Sequence, residues 1–153
     1  MNKITIVNRE MTDEEFMFMK SGFDEHTLDN GVQVQRADRY GFVANCGSKF
    51  IGASSGLAYK NGENYSGWFY LTDLFVEKAY RSQGLGASLL KALEEAITVF
   101  GVKHIWTWTA GYEAPKFYQK QGYEIFASLE NWYSDGSSKV ALRKEINRGV
   151  PKK

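Results

Sequence analysis

The chain has 153 residues, with Lys plus Arg at 19 and Asp plus Glu at 18, so its net charge is +1. Near-neutrality argues against a dedicated phosphate-backbone binder, which carries a strong basic excess. One cysteine and two histidines rule out an intrachain disulfide and a cysteine cluster, and leave little for a His-rich metal site.

Aromatic residues make up 15% of the chain, which suits a folded domain and exceeds what disorder tolerates. The length predicts a single domain over 1–153, with a frayed tail from about 147. Met1-Asn2-Lys3-Ile4 has no apolar h-region, and no apolar run is long enough for a membrane span. With a lone cysteine, this predicts a soluble cytoplasmic protein with no membrane or nucleic-acid partner.

In chain order, Ile4 to Val7 reads as a short strand. Thr12 and Glu15 then form a capping box, with Met11 and Phe16 at the staple positions, so a helix starts here. Asp24 to Arg39 is polar and turn-rich, with Asp29-Asn30-Gly31 as a turn signal. Gly41 to Asn45, Phe50 to Tyr59 and Tyr65 to Val76 read as an antiparallel meander. Leu85, Leu89, Leu93, Ala96, Ile97 and Phe100 recur at helical spacing, and Gly101 ends that helix. His104 to Thr109 is a strand. Ala114 to Gln121 is a short helix with Pro115 in its first turn, and Tyr123 to Leu129 and Lys139 to Ile146 close the sheet. The class is α/β, one mixed sheet of six or seven strands with helices on both faces.

Leu74-Phe75-Val76-Glu77-Lys78-Ala79-Tyr80-Arg81-Ser82-Gln83-Gly84-Leu85-Gly86-Ala87 carries the chemistry. A strand ends, a polar loop turns, and two glycines open a helix. The first N–H groups of a helix lack intrahelical partners, and the helix dipole adds partial positive charge, so this is a cradle for a pyrophosphate. Arg81 adds charge there or fixes the loop. No Gly-Lys-Ser/Thr ending is present for a Walker loop, and Leu89 stands where a dinucleotide fingerprint has its third glycine. Two glycines alone equally describe an ordinary turn into a helix.

Arg81-x-x-Gly84-x-Gly86, after a strand ending Leu74-Phe75-Val76, resembles the acyl-CoA motif of the GNAT superfamily of N-acetyltransferases. Ala114-Pro115-Lys116-Phe117-Tyr118-Gln119-Lys120-Gln121-Gly122-Tyr123 is similar to that family's Ala-x-x-Phe-Tyr-x-Lys-x-Gly-Phe/Tyr signature, one helix and one strand downstream. The Ala-Pro-x-Phe-Tyr form is closer to a bacterial subgroup.

The resemblance implies a sheet splayed between its fourth and fifth strands, about Tyr65 to Val76 and His104 to Thr109. It implies acetyl-CoA as cosubstrate, with no metal. Pantetheine would lie in the V against the main chain of Leu74, Phe75 and Val76. Pyrophosphate would lie on the amides of Ser82, Gln83, Gly84, Leu85, Gly86 and Ala87, and Ala114 and Phe117 would complete the cofactor site. Tyr118 matches the family's general acid. A phenol of pKa near 10 is protonated at neutral pH and can protonate a thiolate whose thiol has pKa near 8.5.

An alkylammonium is about one part in a thousand neutral at pH 7.4, a handicap of about 4 kcal/mol, so a base is wanted. Leu71-Thr72-Asp73-Leu74-Phe75-Val76 resembles the strand of polyamine acetyltransferases, with Thr72 where those carry Glu. Thr72 can hold a water. Alternation along a regular strand points Asp73 away from it. Glu113 and the acidic loop Asp24, Glu25 and Asp29 are the other carboxylates considered.

Gly111 stands where many members carry Asn. Tyr70, Thr72 and Trp108 are the expected acceptor contacts, and Trp106, Tyr112 and Trp132 lie around the cleft or in the core. His104 is expected to be structural and Cys46 to pack as a small apolar side chain. The expected activity is direct acetyl transfer to a small-molecule primary amine in a ternary complex. A protein N-terminal or lysine acceptor and a non-catalytic acyl-CoA binder are the alternatives. A homodimer is compatible with the family.

Overall fold

The computed structural model describes residues 2–112 and 115–146, and its chain divides into two compact units, Met1–Val34 and Gln35–Lys153. The first unit is built on α1, Asp13–Asp29. Thr12 Oγ1 accepts from the Glu15 amide at 3.1 Å, and Glu15 Oε1 accepts from the Thr12 amide at 2.8 Å. The expected capping box is therefore formed. Arg9 adds a two-pronged pair to the same carboxylate, at 2.7 and 2.9 Å.

The Arg9 guanidinium first, and then the Thr12 amide, hold the Glu15 carboxyl at a pKa of about 2. A depressed carboxyl pKa stabilises the fold above the unfolded value, and that contribution is lost as pH falls through the folded one. Carboxyl NMR is expected to show Glu15 titrating near 2, with this contribution fading between about 4.5 and 2. A midpoint at the ordinary 4.5 would show that the clamp does not form in solution.

Two boundaries differ from expectation. Ile4–Val7 forms no strand, since four β-branched residues make too few ladder bonds for β-propensity alone to hold them. The polar Asp24–Arg39 stretch is shared between the end of α1, the turn at Asn30-Gly31, and the start of β1. Asp24, Glu25 and Asp29 are therefore helical rather than loop residues.

The second unit is a six-stranded sheet in the order β1-β2-β3-β4-β6-β5. Its strands are β1 Gln35–Cys46, β2 Lys49–Asn61, β3 Asn64–Val76, β4 His104–Ala110, β5 Glu124–Leu129 and β6 Lys139–Glu145. All neighbours run antiparallel except β3 and β4, which are parallel. Helix α2, Leu85–Ile97, makes the crossover that a parallel pair requires, and α3, Pro115–Lys120, follows β4. The helical run expected to Phe100 ends in a 3₁₀ turn, Thr98–Phe100, closed by Gly101 at φ 71°.

The core lies between the sheet and these two helices. Leu90, Leu93 and Ile97 of α2 join Phe69, Leu71, Ile105 and Leu142 of the sheet and Tyr118 of α3 in one buried cluster. Both α2 and α3 thus pack on the same face. Ser54 fixes α2 to that face, its hydroxyl donating to Leu89 O at 2.9 Å. At the far end of α2, Glu94 accepts from Tyr123 Oη at 2.7 Å and from Lys144 Nζ at 2.8 Å. Burial, then the Glu94 charge, drive the Tyr123 phenol far above its ordinary pKa, so it stays a donor. No helix among the described residues is long and apolar enough to cross a membrane.

Candidate active site

The parallel junction is short. Only Trp68, Phe69 and Tyr70 of β3 pair with His104, Ile105 and Trp106 of β4. Beyond Tyr70 the two strands part, although β3 runs on to Val76 and β4 to Ala110. The expected splay is therefore present. Thr107 marks its apex: its buried hydroxyl donates to Leu71 O at 2.8 Å where the ladder has stopped.

A cavity of about 410 Å³ fills the V. Its walls include Thr72, Asp73, Leu74 and Phe75 from β3, Thr107, Trp108, Thr109 and Ala110 from β4, and Tyr118 from α3. Tyr112, Tyr133 and Lys139 also line it. Expected residues Thr72, Leu74, Phe75, Trp108 and Tyr118 are thus brought together. Tyr70 is not among the walls: it stacks on Trp106 at 4.2 Å, in the last pair before the strands part.

The loop after β3 is shaped for an anion. Ser82 sits at φ 64° and Gly84 at φ 79°, two left-handed residues either side of Gln83 that swing the chain into α2. The first α2 amides, from Leu85 onward, have no partner inside the helix, as at any helix start. Arg81 folds back, its Nε donating to Val76 O at 2.9 Å, so it fixes the loop and occupies the Val76 carbonyl. A Cβ at Gly86 would stand 3.6 Å from Phe117 and 3.8 Å from Val76. Gly86, Phe117 and Val76 therefore adjoin one another beside the helix start. An open strand edge leading to a glycine-lined helix N-terminus fits a long pantetheine arm ending in a pyrophosphate. Ala114 lies outside the described residues, as does Glu113.

The acidic side of the site departs from strand alternation. The β2–β3 register slips between Ser55/Gly56 and Asp73/Leu71, leaving Thr72 as the extra residue of a bulge. Thr72 and Asp73 consequently meet instead of diverging. Thr72 Oγ1 donates to Asp73 Oδ2 at 2.8 Å and accepts from Arg39 Nη1 at 3.1 Å. Arg39 also donates to Ser55 Oγ at 3.1 Å and lies 3.9 Å from Asp73 Oδ2. Arg39 belongs to a stretch that reads as a polar connection, and nothing local in the sequence signals this contact.

Gly111 has a structural reason. Its amide donates to Ser138 O at 2.7 Å, and a Cβ at 111 would lie 2.9 Å from that oxygen. The space a longer side chain would need is filled by the β5–β6 loop. That loop turns on Ser137 O, which accepts from the Trp132 and Tyr133 amides, and Tyr133 packs edge-on against Tyr112 at 5.2 Å. Cys46 does not pack inside: it is exposed at the end of β1, because the β1–β2 turn follows at once. His104 stacks on Trp68 at 4.5 Å, away from the cavity walls.

Residues 37–125 match the family model described as an acetyltransferase (GNAT) domain. A Bacillus subtilis (strain 168) protein, the uncharacterized YyaT, is 36% identical over 84 residues, covering 52% of each chain. The catalytic subunit NAA20 of the Arabidopsis thaliana N-terminal acetyltransferase B complex is 27% identical over 110 residues, covering 70% of this chain and 62% of that one. The chain thus spans about half to three-fifths of the length of these curated relatives. An acetyltransferase structure from Bacillus cereus ATCC 14579 superposes with a TM-score of 0.74 at 22% identity, covering 92% of this chain and 98% of that one. With a family model matching more than half of its length, and with the splayed sheet and glycine-lined helix start in place, the chain belongs to the GNAT acetyltransferases.

Proposed function

We propose that this acetyltransferase moves an acetyl group from acetyl-CoA to the primary amine of a small molecule, by direct attack in a ternary complex. The observation that carries this reading is Tyr118 in the wall of the same cavity as the open edge of β3. When bound, acetyl-CoA supplies the thioester carbonyl and, on transfer, a thiolate leaving group. The amides of Ser82 to Ala87 receive the pyrophosphate, and Leu74 and Phe75 offer main chain to the pantetheine arm. Val76 contributes through its position, because its carbonyl is held by Arg81.

Tyr118 is the catalytic acid in this reading. It is 6% exposed, on the core side of the cleft between Phe117 and Tyr123, so its ring is held by packing. Its phenol delivers a proton to the departing sulfur. Thr72 and Asp73, from β3, line the same cavity, and there a water or the carboxylate can take the amine's proton. Cys46 is exposed on the β1–β2 hairpin and is not among the described cavity walls. Acetyl transfer through a cysteine is therefore not part of the route.

A peptide amine is the second reading, favoured by the match to an N-terminal acetyltransferase subunit. Thiol release from acetyl-CoA across small amines and short peptides separates the two. Intersecting initial-velocity lines are expected for a ternary complex, and parallel lines would refute direct attack. Tight CoA binding without turnover on any acceptor would instead support a non-catalytic binder.

A further inference from the structure

The described cavity walls hold two charged side chains of opposite sign, Asp73 and Lys139. Both lie on the sheet face turned away from α2. Ser54 bonds to α2, so its neighbour Ser55 and the paired Asp73 face the other way. Val140 is buried in the core with α2, so the preceding Lys139 also faces away from it. The cofactor cradle begins at α2, on the opposite face. The charged pair therefore lies on the face away from the cradle, where an acceptor would not compete with the cofactor's phosphates.

Each charge keeps capacity for a ligand: Asp73 meets Thr72 and, at 3.9 Å, Arg39 through one oxygen only. The Asp73 contacts converge on Oδ2, and Oδ1 has no hydrogen-bond partner among the described residues. Lys139 meets no carboxylate among them either. Its ammonium lies between two indoles, 5.4 Å from the Trp108 ring centre and 5.0 Å from that of Trp132. Ring contact positions a cation while leaving its N–H groups able to donate. A polyamine or other purely cationic acceptor would be repelled by Lys139, since like charges at contact range cost free energy. An acceptor carrying both an amine and an anionic group satisfies both charges at once.

We propose that the acceptor is an amino acid or a close relative, with its amine directed to Asp73 and its carboxylate bound by Lys139. Lys139 is then a specificity-determining residue. The inference rests on the acetyl-transfer reading above.

The test measures thiol release by the full chain with amino acids paired against their own amides, L-phenylalanine beside L-phenylalaninamide, for example. The amide has the less basic amine and so holds more of the attacking neutral form, and a preference for the acid must come from the anion contact. The acid is expected to be favoured at least about tenfold in kcat/KM, because the amide lacks the charge-assisted contact to the Lys139 ammonium. Lys139→Met keeps the stem against the rings and is expected to bring that ratio to about one, mainly through KM for the acid. Turnover of both members at equal kcat/KM, or an unchanged ratio in Lys139→Met, overturns this inference while acetyl transfer stands. Absence of thiol release with every amine, while CoA still binds, overturns the acetyl-transfer reading and this inference together.

Discussion

Tyr118→Phe is expected to lower kcat by about a hundredfold or more, the usual scale for losing a positioned general acid. The substitution removes one oxygen and keeps the ring that packs between Phe117 and Tyr123, so the loss should fall on the chemical step. KM for the acceptor should stay close to that of the parent, because the amine side of the cavity is formed by other residues. Near-UV circular dichroism provides the control for packing. A kcat within about twofold of the parent would mean that another group or a water protonates the sulfur.

The second large effect is on the fold. Gly56→Ala would drive a Cβ into the carbonyl of Tyr70 and the ring of Phe69, whose Cζ would lie 2.8 Å away. Both obstacles belong to the centre of the sheet, and Phe69 is fully buried. Overpacking of this kind costs about 3 kcal/mol. For a chain of this length that lowers the melting temperature by about 10 °C. A melting temperature within about 2 °C of the parent would show that the strands shift easily to make room. Gly56 also adjoins the register slip that turns Asp73 toward Thr72. The substitution should therefore disturb the acidic wall as well as stability.

That coupling explains which parts of the site could be read from the residues alone. The meander follows from apolar runs broken at Gly47 and Gly62, both of which take positive φ. The α2 helix follows from its leucine stripe, and the cradle from Gly84 and Gly86 at its start. All of these are local patterns. The meeting of Thr72 with Asp73 is not local. It depends on a bulge set by how β2 crosses Phe69 and Tyr70, which strand alternation along β3 cannot reveal. Arg39 reaches Thr72 across 33 positions of sequence. Gly111 likewise makes sense only once Ser138 O is seen beside it. Cys46 was expected inside because cysteine is often buried, but its place at a strand end decides its exposure.

The three-pair junction between β3 and β4 has a kinetic consequence. β1, β2 and β3 are joined by tight hairpins and can zip together early. The contact from Thr107 to Leu71 closes 36 positions of chain, and the entropy of that closure must be met before the few bonds beyond it form. Refolding followed by pulsed hydrogen exchange should show protection at Ile105 and Trp106 lagging behind that of the β1–β2 ladder, and simultaneous protection would contradict this order. The cleft thus takes shape after the β1–β3 meander that supplies one of its walls, and a nascent chain becomes competent to bind only once β4 has joined that meander.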